Sequence, residues 1–155
     1  GNVLTSNGTS WVSSAAASSG FPITLGNTSV AASSTTTSVG NLTVVNTTVT
    51  NYTETVVAIG NTGTSQTLSL TSGTFQTATL TGNCTFTMPT ATAGKSFILI
   101  LTQDGTGGRT ATFTSVKWPG GVAPTITTTA TTGRDILTFV SDGTNWYGTI
   151  AQAFA

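Results

Sequence analysis

From Thr67 to Ala151 apolar residues alternate with Thr and Ser, and Gly, Pro, Asn and Asp cut the alternation into short runs. A period of two marks a strand with one dry and one wet face. It predicts strands at Thr67 to Leu70, Phe75 to Leu80, Cys84 to Met88, Ser96 to Thr102, Thr110 to Thr114, Thr125 to Thr128, Ile136 to Val140 and Asn145 to Ala151. Short strands at this spacing predict an all-β, antiparallel β-sandwich or jelly-roll-like domain. Phe97-Ile98-Leu99-Ile100-Leu101 is apolar in both phases, so it is predicted as a central strand covered on both sides. Ala78-Thr79-Leu80-Thr81 has one face for the core and one for water. No stretch has helical periodicity.

The clearest local signal is Asp135 to Gly148, where Asp142-Gly143 separates two runs of strand formers. Asp-Gly suits a two-residue type I′ turn, which needs positive φ at both central residues. That register pairs Ser141 with Thr144, Phe139 with Trp146 and Thr138 with Tyr147, placing Phe139 and Trp146 on one face for the core and Tyr147 on the other. Leu4 to Trp11 repeats the device, and both copies share S-[N/D]-G-T-x-W. Asp104-Gly105-Thr106-Gly107-Gly108 reads as a further hairpin loop, and Trp118-Pro119-Gly120-Gly121 as a sharp turn carrying a large ring.

Upstream the pattern loosens. Residues 1–40 read as an extended N-terminal arm with one hairpin and two Ser/Thr/Ala-rich linkers. Between the linkers, Phe21-Pro22-Ile23-Thr24-Leu25 is a candidate edge strand or a peg that docks on another surface. Residues 41–65 form a connecting region of Val- and Thr-rich strand, whose small apolar positions of mixed phase suit a twisted strand pair or a strand shared among chains. Gly60-Asn61-Thr62-Gly63 breaks it, and residues 66–155 are assigned to the sandwich.

Charge is nearly absent. Four Lys and Arg balance four Asp and Glu, there is no His, and charged residues are 5% of the chain against about 25% in ordinary domains. Counterion release on nucleic acid and attraction to an anionic membrane therefore have almost no basis. The 55 Ser and Thr residues supply solubility instead. A lone cysteine, Cys84, excludes an intrachain disulfide framework and thiolate metal sites, and fits a small apolar core residue. No apolar run is long enough to insert in a membrane. The start at Gly1, without Met or a leader pattern, suggests a processed product or a fragment.

Catalysis lacks parts. Without His, acid–base work falls to Glu54, Asp104, Asp135, Asp142, Lys95 and Lys117. Asp104 and Asp142 precede Gly in turns that favour Asp for its own backbone bonding, and Asp135 adjoins Arg134 at a strand start. D-G-T-G-G-R lacks the ending of a phosphate loop and precedes a strand. Asn-x-Ser/Thr triplets at Asn7, Asn27, Asn41, Asn46, Asn51 and Asn83 arise cheaply in so hydroxyl-rich a chain. Thr-x-Thr arrays such as Thr85-Phe86-Thr87 have too irregular a spacing for a lattice-matching surface. No catalytic, metal or cofactor site is expected. Aromatic side chains are the better lead: Trp118, Tyr147 and Trp11 are candidates for a ligand or an interface, with Phe21 as the peg.

Three segments together carry a resemblance: K-S-F-I-L-I-L-T from Lys95, V-K-W-P-G-G from Val116, and D-I-L-T-F-V-S-D-G-T-N-W-Y-G from Asp135. They resemble C-terminal β-domains of tailed-phage fibre and other virion structural proteins, especially those of phages of cyanobacteria and marine bacteria. The opening G-N-V-L-T-S-N-G-T-S-W-V-S is similar to a segment common in phage tail fibres. No catalytic motif transfers. The resemblance implies a non-enzymatic virion component on a tail appendage or the capsid surface, homotrimeric, touching other virion proteins and contributing to host attachment through a surface glycan. Two alternatives stand beside it: a trimeric capsid decoration or cement protein, with Phe21 pegging neighbours, and a carbohydrate-binding adhesive module.

Overall fold

The computed structural model describes residues 2–6, 8, 9, 11–15, 23–25, 28–30 and 43–154. They fall into two units, Gly1–Asn51 and Tyr52–Ala155. In the first, β1 (Asn2–Ser6) pairs antiparallel with β2 (Trp11–Ala15), and β3 (Ile23–Leu25) with β4 (Thr28–Val30). Ile23–Leu25 is thus one arm of a hairpin. Phe21 lies outside the described residues. Val44, Val45 and Val49 are exposed.

In the second unit the strands are β5 (Val56–Asn61), β6 (Ser65–Thr67), β7 (Phe75–Leu80), β8 (Cys84–Thr87), β9 (Ser96–Gln103), β10 (Ala111–Phe113), β11 (Val116–Lys117), β12 (Arg134–Ser141) and β13 (Trp146–Phe154). They form a six-stranded sheet, β11-β13-β12-β9-β7-β5, and a three-stranded sheet, β10-β8-β6. One 3-10 turn, Pro119–Gly121, follows β11. The fold is β-rich, as the alternation predicts.

The strand order departs from the sequence-based expectation. From β5 to β10 the chain crosses from one sheet to the other at every step, so strands stack on the strand two earlier and run parallel to it. Among the described strands of this unit the antiparallel pairs are those of β12, with β9 and β13. An antiparallel domain was expected because short alternating runs say nothing about which strand pairs with which. The same crossing corrects one assignment. Asp104–Gly108 joins the two sheets and closes no hairpin, because β10 pairs with β8. β5, within the segment expected as a connecting region, pairs with β7 as the edge strand of the six-stranded sheet.

Alternation sorts each strand's side chains. Phe97, Leu99 and Leu101 on β9, Leu137 and Phe139 on β12, Ala78 and Leu80 on β7 and Cys84 and Phe86 on β8 are all buried in one cluster. Aromatic rings join the sheets: Phe86 stacks on Phe113 at 5.0 Å, Phe113 lies 5.4 Å from Phe139, and Phe97 stacks on Phe139 at 4.7 Å. Trp146 meets Phe97 edge-on at 5.3 Å, and its Nε1 donates to the Pro89 carbonyl. That bond satisfies the one polar atom of a buried indole.

Thr125 to Thr128, expected as a strand, is not one. Its backbone is held by side chains instead: the buried Asp135 accepts from Thr127 N–H at 2.6 Å, Gln103 Nε2 donates to Thr127 C=O at 2.8 Å, and Gln152 Nε2 donates to Thr125 C=O. Gln and Asp groups drawn from three strands replace a ladder that sequence pattern cannot reveal.

Candidate functional site

The C-terminal hairpin places the sequence-predicted aromatics. Its register differs from the expected one: Ser141 pairs with Trp146, Val140 with Tyr147, Phe139 with Gly148 and Thr138 with Thr149. A four-residue loop replaces the type I′ turn. Only Gly143 has positive φ, at 100°, while Asp142 keeps an ordinary backbone. The Asp142 side chain does the work of the missing turn, its Oδ1 accepting from Thr144 N–H at 2.8 Å and Asn145 N–H at 2.7 Å. Because the pairing moves by two residues, no side chain changes face, and Phe139 and Trp146 both stay buried. In the N-terminal copy Ser6 likewise pairs with Trp11 across four residues. Trp11 therefore starts β2.

Tyr147 stands on the outer face, 43% exposed, and its hydroxyl donates to Asp142 Oδ2 at 2.9 Å. The Asn145 and Thr144 N–H groups, then this hydroxyl, lower the Asp142 carboxyl from 3.8 to about 2. The same bond raises the Tyr147 phenol. Asp142's folded value lies below its unfolded one, so the loop's contribution is present above the unfolded value and lost as pH falls through about 2. An NMR titration is expected to give Asp142 a midpoint near this value, and D142N should remove the acid-side change at the Tyr147 ring. A midpoint at the ordinary carboxylate value would show that the loop bonds do not hold in solution.

Trp118 does not offer a free ring. Its face lies on Gly148 and its edge meets Phe113 at 5.7 Å and Phe139 at 5.9 Å. A Cβ on Gly148 would sit 2.5 Å from the ring, so glycine is required there by space. Gly148→Ala is expected to cost about 1–3 kcal/mol by overpacking, read as a lower midpoint in chemical denaturation; an unchanged midpoint would mean that Trp118 lies elsewhere. The outer rim of Trp118 borders an uncharged cleft of about 270 Å³, lined with Pro119, Val122, Pro124, Thr149 and Ile150. Val122 is 73% exposed. Trp118 and Tyr147 thus come to the same sheet edge but on opposite faces of β13, joined by the pairing of Lys117 with Tyr147.

The largest unexplained feature is the outer face of the six-stranded sheet. One row crosses five strands as Val56, Phe75, Ile98, Thr138 and Thr149, and the next as Ala58, Thr77, Ile100, Ile136 and Ala151. Phe75, Ile98, Ile100 and Ile136 are half-buried by their neighbours, whereas Val56 and Val140 are at least half exposed. Phe97 to Leu101 was expected to be covered on both sides; within the Tyr52–Ala155 unit its Phe97, Leu99, Leu101 phase is buried and its Ile98, Ile100 phase carries no second layer. Reading by single residues missed this face. Its signal was the second apolar phase of β9.

Carboxylates are engaged. Asp104 binds Arg109 through Nη2 at 2.9 Å and the N–H groups of Thr106 and Gly107, and the Arg109 bond leads in lowering its pKa. Asp135 accepts from Thr127 and Ala153 N–H. Burial pushes the Cys84 thiol up, which suits an inert core group. Among the described residues no cluster of His, Cys, Asp or Glu could hold a metal ion. Comparison with protein-family models, with curated proteins and with solved structures finds no match to this chain.

Proposed function

We propose that this chain is a non-enzymatic structural protein of a bacteriophage virion, a homotrimeric tail-fibre or fibre-tip component that contributes to host-cell attachment. The observation that carries the reading is the open apolar face of the six-stranded sheet. Within the Tyr52–Ala155 unit Phe75, Ile98, Ile100 and Ile136 line one face that no second layer of that unit covers, and such a patch belongs to an interface. The sequence resemblance supplies the virion context, and the engagement of Asp104, Asp135 and Asp142 in structural bonds supports a role without catalysis. The two sheets with their shared core are the layers of a β-sandwich-like module. The alternation of β5 to β10 between sheets favours a coiled two-layer form over a jelly roll, whose pairs are antiparallel.

For attachment, the Trp118 cleft beside the β11 edge of the sheet is the candidate surface. Its ring edge, prolines and the Thr149 hydroxyl suit the apolar face and hydroxyls of a sugar. Val122→Asp, at an exposed position outside the core, is expected to weaken adsorption to host cells several-fold without changing the fold; full adsorption would remove the cleft from the reading. Location tests the function itself. Antibody labelling of virions is expected to mark the tail appendage, and regular occupancy of the capsid would replace the fibre reading by that of a decoration protein.

A further inference from the structure

The strands β5 to β10 stack as three coils: β5 with β6, β7 with β8, and β9 with β10, each coil pairing with the next strand for strand. Their turns stack too, Thr62 N–H donating to Thr79 C=O at 3.0 Å and Thr85 N–H to Thr64 C=O at 3.0 Å. The two ends of the stack differ. Beyond the third coil β12 pairs with β9, and Thr128 C=O accepts from Gly108 N–H at 2.9 Å. Beyond the first coil both sheets stop, because β5 and β6 are edge strands among the described residues. One side of a whole coil thus keeps its outward N–H and C=O groups. Neither β5 nor β6 carries the charge or proline that commonly blunts such an edge, and a stack of repeats needs a cap at each end. One stretch of the chain has the complementary need: residues 43–55 are exposed at every position, with Val44, Val45, Val49 and Tyr52 each more than half exposed. Val and Thr favour the extended form, and residues 43–53 are as free of charge as the edge. Glu54 accepts from the Thr74 hydroxyl at 2.6 Å and so ties the downstream end of the stretch to its own chain.

We propose that residues 43–53 of one copy add as a parallel strand to the open β5 edge of a second copy and supply the cap that its first coil lacks. This rests on the reading that copies of the chain assemble, and it assigns them a contact apart from the outer face. Chain length makes the donor a second copy. Parallel neighbours need a crossover of about a dozen residues or more. Within the stack residues 62–74 and 81–95 serve as those crossovers, whereas only residues 50–55 separate Val49 from β5. A chain therefore cannot lay its own residues 44–49 in parallel on its own β5. Main-chain hydrogen bonds give strand addition its affinity, and side chains at alternate positions set its register. The irregularity between Ala58 and Gly60 limits the straight edge to residues 56–58. The added strand is thus short, and it forms between copies already held together.

A photocrosslinker at Val45 tests the contact whatever its register. The full chain with benzoylphenylalanine in place of the exposed Val45 is made in a light and a heavy-isotope form. The two are unfolded, mixed, refolded together, irradiated and mapped by mass spectrometry. The expected result is crosslinks between light and heavy chains that fall within residues 56–67. Crosslinks within light or within heavy chains alone mean that the stretch folds back on its own chain, and light–heavy crosslinks outside residues 56–67 place it on another surface. Either result overturns the strand addition, as does the lack of any crosslink. Light scattering on the same mixture separates this failure from that of the trimer: trimer mass with any of these results leaves the trimer standing, and monomer mass overturns both. As a second check, T48P/V49P removes one N–H on each side of the donor strand, outside the core, and is expected to lower the light–heavy yield by about tenfold or more. An unchanged yield overturns the pairing.

Discussion

Phe139→Ala is expected to lower the stability of the chain by about 3–5 kcal/mol, the range for deleting a large aromatic from a packed core. Phe139 is fully buried and its ring contacts Phe97, Phe113 and Trp118. It therefore joins the six-stranded sheet to β10 and to the loop that carries Trp118. Its cross-strand partner is Gly148, over which the Trp118 ring lies, so removal of the Phe139 ring also takes away one support of Trp118. Denaturant unfolding followed by tryptophan fluorescence reads the loss, and a change below about 1 kcal/mol would mean that the aromatic cluster is not the core.

Ile98→Glu is expected to do the opposite: leave a folded chain and abolish its assembly. Ile98 neighbours Phe97 in sequence, but the two side chains point to opposite faces of β9. Phe97 is inside the domain, while Ile98 is half-buried at the centre of the open face, between Phe75 and Thr138. A carboxylate in the monomer meets water there. In the assembly it would stand in an apolar interior once per copy, and burying an unpaired charge costs several kcal/mol in practice. Circular dichroism should match the parent chain, and sedimentation should show monomer at micromolar concentration. An Ile98→Glu chain that still assembles would place the interface elsewhere; one that unfolds would make this face part of the core.

The contrast between these neighbours also marks how far the sequence could be read. Alternation located most strands of the Tyr52–Ala155 unit within a residue or two and assigned Phe139 and Trp146 to the core, because face is a property of parity and survives a two-residue error in pairing. Pairing itself was not legible. Parallel stacking of β5, β7 and β9 depends on chain crossings between sheets, and nothing local in Thr- and Val-rich runs records a partner some twenty residues away. Asp142-Gly143 gave the hairpin but not its loop length, since Asp can fill a turn either by positive φ or by its carboxylate, as it does here. Trp118 was legible as a large ring on a turn, yet its burial rests on the empty space at Gly148. The open face could be found only once Val56, Phe75, Ile98 and Thr138 were seen side by side. The pegging role of Phe21 and the side chain of Trp11 lie outside the described residues.

The proposed function turns on other copies of the chain covering the apolar face that the Tyr52–Ala155 unit leaves open. Its most direct test is the mass of the full chain in solution at micromolar concentration, by light scattering coupled to size exclusion. The expected result is a single species of three times the 15.6 kDa chain, unchanged across a tenfold dilution in that range. A species of 15.6 kDa at these concentrations would contradict it.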